Sequence, residues 1–162
     1  MAEKYPLEQL ARIKQKRLEE AEKTLIEKKN ILAEEEKALE QLEKKRDEIK
    51  KHRDDKLNQL KEEFDEGITS DKIEQAQIYL QVIEEKLVSR EKKVQEQAAK
   101  VKEAEEAVEE AKKEVLRKQI DVEKLTIHEE EWKKDRAKEA QREAQSESDE
   151  LGSGMHVRKK KM

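Results

Sequence analysis

The chain has 162 residues, 49% of them charged and 2% aromatic, with three Gly, one Pro and no Cys. That composition excludes a compact globule with a large aromatic core and points to long helices, while the missing Cys excludes disulfides and thiolate metal sites. A net charge of -4, from 38 basic against 42 acidic side chains, gives no bulk preference for nucleic acid or an anionic membrane.

The first predicted helix runs from about residue 6 to 64. Pro6 suits a first helical turn, where its missing N–H costs nothing. Leu18, Leu25, Leu32 and Leu39 recur at intervals of seven, with Ala21, Leu42, Ile49 and Leu60 beside them. Arg46 and Arg53 interrupt this ladder. A turn is expected over about 65–70, where Gly67 suits a left-handed position and Ser70 or Asp71 can cap the next helix.

The second predicted helix runs from about 71 to 144. Ile73, Leu80, Leu87, Val94, Val101, Val108, Val115 and Val122 stand seven apart, and a second ladder follows three residues later: Ala76, Ile83, Arg90, Gln97, Ala104, Ala111, Lys118, Leu125 and Trp132. A sustained 3-4 alternation keeps one narrow seam facing a partner helix, as in a left-handed coiled coil. The short turn makes the helices antiparallel neighbours. The expected fold is therefore all-α, a long antiparallel two-helix coiled-coil hairpin over 1–145. Residue i then meets about residue 135 - i, so that Leu39 faces Val94, Leu25 faces Val108 and Ala111, and Trp132 closes the open end near Tyr5 and Leu7. In this register Arg46 falls near Arg90, and both are expected to snorkel outward. Breaker-rich sequence after residue 145, including Gly152 and Gly154, predicts a disordered tail over 146–162 that ends in a short basic run from His156.

Nothing in the sequence resembles a catalytic or metal constellation. His52, His128 and His156 are spaced apart, position 132 is Trp where a His-Glu-x-x-His motif would need His, and Gly67 does not belong to a phosphate loop. No enzyme activity, cofactor or metal is expected. No apolar run approaches the ~20 residues of a membrane span, and Met1 to Pro6 lacks a signal-peptide core, so a cytoplasmic location without direct membrane insertion is expected.

Charge is uneven along the hairpin. Residues 1–18 carry five basic and two acidic side chains, residues 133–142 the same, and residues 58–75 two Lys against six carboxylates. The open end is thus basic and the loop end acidic, a distribution able to orient the molecule in a charged socket. On this reading Arg12, Lys14, Lys16, Arg17, Lys133, Lys134, Arg136 and Lys138, with Trp132 as an aromatic anchor, are the candidate partner-binding residues.

Three strings carry a family resemblance: Tyr5-Pro-Leu-Glu8 at the start, Phe64-Asp-x-Gly-x-Thr-Ser-Asp71 at the turn, and His128-x-Glu-Glu-Trp-Lys133 in the second helix. With the hairpin pattern, they resemble the type III secretion stalk proteins of the YscO (SctO) family, most closely its chlamydial, CdsO-like branch, which is similar in shape to flagellar FliJ. The resemblance implies a bacterial central stalk that binds the hexameric secretion ATPase and couples it to the export gate and to secretion chaperones. It supplies no residue-level binding motif. A self-assembling coiled-coil scaffold and a hairpin chaperone unrelated to secretion are the alternative expectations, and a nucleic-acid arm is disfavoured because basic residues are interleaved with acidic ones rather than forming a stripe.

Overall fold

The computed structural model describes the backbone of residues 3–161 and the side chains of residues 3–155. Two helices, α1 (Glu8–Glu66) and α2 (Ser70–Lys161), pack together as a hairpin, and no strand occurs among the described residues. The expected all-α hairpin is the observed fold. Both helices are rich in Glu, Lys, Ala, Leu and Gln, residues that lose little rotamer freedom in a helix. Exposed pairs such as Lys44 with Glu40, 3.4 Å apart, add only ~0.3–0.5 kcal/mol each. Most of the stability must therefore come from the seam between the helices.

The chain divides into two compact units, Lys23–Lys113 and Met1–Glu22 with Glu114–Met162. In the first, the chain reverses at Gly67, whose φ of 93° lies in the left-handed region. The Gly67 N–H donates to the Phe64 carbonyl at 3.3 Å, and the Ile73 N–H donates to Thr69 at 3.2 Å, closing α1 and opening α2. A Cβ at position 67 would meet no atom within 4 Å, so a substitution there acts through backbone conformation alone. Gly67→Ala is expected to cost about 1 kcal/mol, lowering the melting temperature by roughly 2–4 °C in a thermal scan followed by circular dichroism.

Ile83, Val94, Val101, Ala104, Val108 and Ala111 are buried along α2 of this unit. The predicted Leu25, Leu32 and Leu39 of α1, and Ile73, Leu80 and Leu87 of α2, are half-buried. Small Ala and Val on α2 facing Leu on α1 let the two backbones approach closely. Toward the turn, Leu57 and Phe64 are exposed.

At the polar seam position Arg46, the outward-reaching head ends on rim carboxylates rather than in open water. Its side chain is only 25% exposed, and the guanidinium donates to Asp47 at 3.2 Å and, across the seam, to Glu91 at 3.5 Å. Arg53 repeats the arrangement one heptad on, reaching Asp54 at 3.3 Å and Glu84 at 3.1 Å. Both guanidiniums have raised pKa values, Arg46 chiefly through its bond to Asp47 and Arg53 chiefly through its bond to Glu84. The reason is that Arg stems lie along the apolar seam while flanking carboxylates capture their heads. Gln97 is buried and donates its amide to the Glu35 carbonyl at 3.0 Å and to the Glu35 carboxylate. These partners fall close to the i with 135 - i pairing expected from the turn.

In the second unit Leu18 and Val115 are buried, while Val122 and Leu125 are half-buried. The sequence predicts a disordered tail over 146–162, whereas α2 here continues as helix to Lys161. Continuity arises because Glu, Gln, Ala and Ser up to residue 150 are all compatible with a helix, and Gly152 and Gly154 cost only about 1 kcal/mol each against Ala. The basic run from His156 lies outside the described side chains.

Candidate partner-binding site

The open end is built from the segment before α1 and from α2 between His128 and Glu143. The Glu8 N–H donates to the Tyr5 carbonyl at 3.1 Å, a turn around Pro6 that directs the Tyr5 ring onto α2. Tyr5 is buried, although it precedes the first helix. Its hydroxyl is hydrogen-bonded to His128 Nδ1, and its ring lies 5.7 Å from the His128 ring and edge-on to Trp132 at 5.5 Å. His128 and Trp132 are four residues apart and share one helix face, which is why both reach the same ring.

Arg136, one turn beyond Trp132, extends the cluster. Its guanidinium stands 5.9 Å from the Trp132 ring and pairs with Glu139 at 2.9 Å and with Glu3. Burial, and secondarily the Glu129 carboxylate, raises the Tyr5 pKa. A phenol whose folded pKa is raised favours folding below its unfolded value of about 10 and loses that contribution as pH rises through the folded value. Trp132 fluorescence in the wild type is therefore expected to report loosening of this clasp above about pH 10, and Tyr5→Phe should abolish that transition while keeping the ring packed. An alkaline transition of the same size in Tyr5→Phe would assign it to another group.

The predicted basic residues separate into two groups. Arg12 pairs with Glu8 at 3.0 Å, Lys14 with Asp121 at 3.7 Å and Lys133 with Glu129 at 3.4 Å. Lys16, Arg17, Lys134 and Lys138 are exposed on the surface of the same unit. The structure thus gathers all nine predicted residues into the unit Met1–Glu22 with Glu114–Met162. An open cleft of about 650 Å³ is lined by Trp132, Lys133, Arg136 and Ala137. Sequence reasoning missed His128 as a member of the cluster. The available signal was its i, i+4 spacing from Trp132, which places both on the face that Tyr5 covers.

Among the described residues no group of three or more His, Asp or Glu is arranged to hold a metal ion. No helix among them is long and apolar enough to cross a membrane. Such a surface can hold another macromolecule by charge and by one aromatic anchor.

A family model for YscO-like proteins matches residues 2–162. The chain belongs to the YscO-like family. Membership makes it a type III secretion-related protein, a structural component whose partners lie in the type III secretion machinery. Among solved structures, this YscO-like chain is similar to one described as a homolog of YscO, CT670 from Chlamydia trachomatis. The two are 36% identical, the match covers 99% of each chain, and the TM-score is 0.94. No curated protein matches the chain.

Proposed function

We propose that this YscO-like protein is the non-enzymatic stalk and adaptor of a type III secretion export apparatus. It binds the hexameric secretion ATPase, and couples it to the export gate protein and to secretion chaperones at the cytoplasmic face of the inner membrane. The observation that carries the reading is family membership over the whole described hairpin, combined with an aromatic-anchored basic end. In this reading the basic end enters the ATPase ring. Trp132 and the exposed cations Lys16, Arg17, Lys134 and Lys138 meet acidic subunit surfaces, while Arg12, Lys14, Lys133 and Arg136 also hold the end together. Electrostatic complementarity of this kind steers encounter and fixes orientation more than it adds affinity.

Isothermal titration of the protein into the assembled cognate ATPase tests the reading. Saturation near one copy per ring is expected, with affinity falling as salt is raised. No binding at any salt concentration contradicts it. A self-assembling scaffold then becomes the leading alternative.

A further inference from the structure

Beyond Trp132 the hairpin ladder ends. The heptad of Val108, Val115 and Val122 continues into Glu129, Arg136 and Glu143, so it offers no further apolar seam. A second ladder begins one residue out of phase. Ala137, Ala144 and Leu151 stand seven apart, with Ala140 and Met155 on the same face. All five lie in α2, all are exposed, and Leu151 and Met155 retain 67% and 66% of their accessible surface. Glu3, ahead of α1, reaches Arg136, and the five side chains nonetheless stay exposed.

The charges on this segment have a direction. Residues 133–142 carry five basic and two acidic side chains, and residues 143–150 carry four carboxylates and no cation. Two parallel copies would set like charge against like. Two antiparallel copies centred on Ala144 set each basic half against the other's acidic half, with Lys138 of one facing Glu150 of the other. The same centring places Ala137, seven residues before Ala144, opposite Leu151, seven residues after it. That is the small-against-large pairing expected within the hairpin, where Ala104 and Ala111 are buried. Charge and side-chain size therefore select the same two-fold arrangement.

We infer that residues 133–155 of α2 form a self-complementary docking surface for a second copy of this chain, paired antiparallel about Ala144. The seam is only about three heptads long, so association is weak and concentration-dependent. It weakens with salt, because opposite charges flank it. The inference is independent of the stalk reading, since it concerns the free protein alone.

The absence of Cys makes a clean test possible. Single variants Ala144→Cys, Ala137→Cys, Leu151→Cys and Arg142→Cys, the last on the opposite face, are oxidised mildly and resolved on non-reducing gels. Far-UV circular dichroism checks that each remains helical, as expected for exposed positions. The two-fold pairing predicts that Ala144→Cys cross-links to itself at least about tenfold faster than Arg142→Cys. A mixture of Ala137→Cys and Leu151→Cys should give mainly mixed dimers. Equal rates for Ala144→Cys and Arg142→Cys would overturn the pairing. So would a preference of Ala137→Cys and Leu151→Cys for homodimers, which marks a parallel arrangement.

Discussion

Val108→Asp is expected to lose about 3–5 kcal/mol of stability and about 10 °C or more of melting temperature. Val108 is 5% exposed and sits between Val101 and Val115 in the most continuously buried part of α2. Its replacement removes the packing of a branched side chain, worth ~1.5–3 kcal/mol, and introduces a carboxylate at a dry position. The substituted Asp relieves part of the cost by taking up a proton at raised pKa, so the loss should shrink at acid pH. Thermal unfolding by circular dichroism measures it. A melting temperature within 2 °C of wild type would mean that the seam does not run through this position.

The second large effect concerns binding. Simultaneous replacement of Lys16, Arg17, Lys134 and Lys138 by Glu is expected to weaken binding to the secretion ATPase at least about 100-fold at low salt, about 2.7 kcal/mol. These four were chosen because they are exposed, whereas Lys14 and Arg136 hold internal partners whose loss would disturb the fold itself. Helicity should be unchanged, since Lys and Glu have similar helix propensities. Affinity should converge with that of wild type as salt is raised, because exposed charges are screened over about 8 Å at physiological ionic strength. Wild-type affinity at low salt would remove the basic end from the interface.

The contrast between these variants follows from where each side chain lies. A charge introduced at a buried seam position such as Val108 acts on folding, because burial separates it from water. A charge moved on the outer surface acts on association, because water screens it until a partner arrives.

Much of the fold was legible in the residues. Strict seven-residue spacing of Leu on α1 and Val on α2 can satisfy only a helix with a partner, and Gly67 left a single position for the reversal. What the pattern could not show was the fate of its exceptions. A ladder position occupied by Arg46 or Gln97 reads as an interruption, because periodicity scores polarity and carries no information about the carboxylates opposite. In the structure Glu91, Glu84 and Glu35 convert those positions into cross-seam polar contacts. The expected end of α2 near residue 144 and its continuation to Lys161 differ for a related reason: Ser and Gly lower helix propensity locally, but continuation of a long helix needs no new nucleation.

The site was legible as charge and as one aromatic. Trp132 at a seam position predicted a closed end near Tyr5, and the ring contact is present. His128 was invisible as long as it was weighed as a metal ligand or base; it accompanies the aromatic pair as a hydrogen-bonding partner for the Tyr5 phenol. The pairs of Arg12 with Glu8 and of Lys133 with Glu129 follow from i, i+4 spacing, whereas that of Lys14 with Asp121 depends on side-chain reach across two helices, which sequence spacing alone does not give.

Turnover of the cognate secretion ATPase, measured as this protein is titrated in while ring assembly is followed by light scattering, tests the stalk reading most directly. Saturable stimulation near one copy per six ATPase subunits is expected, lost in the four-site Glu variant. Unchanged turnover and unchanged scattering at saturating protein would contradict it.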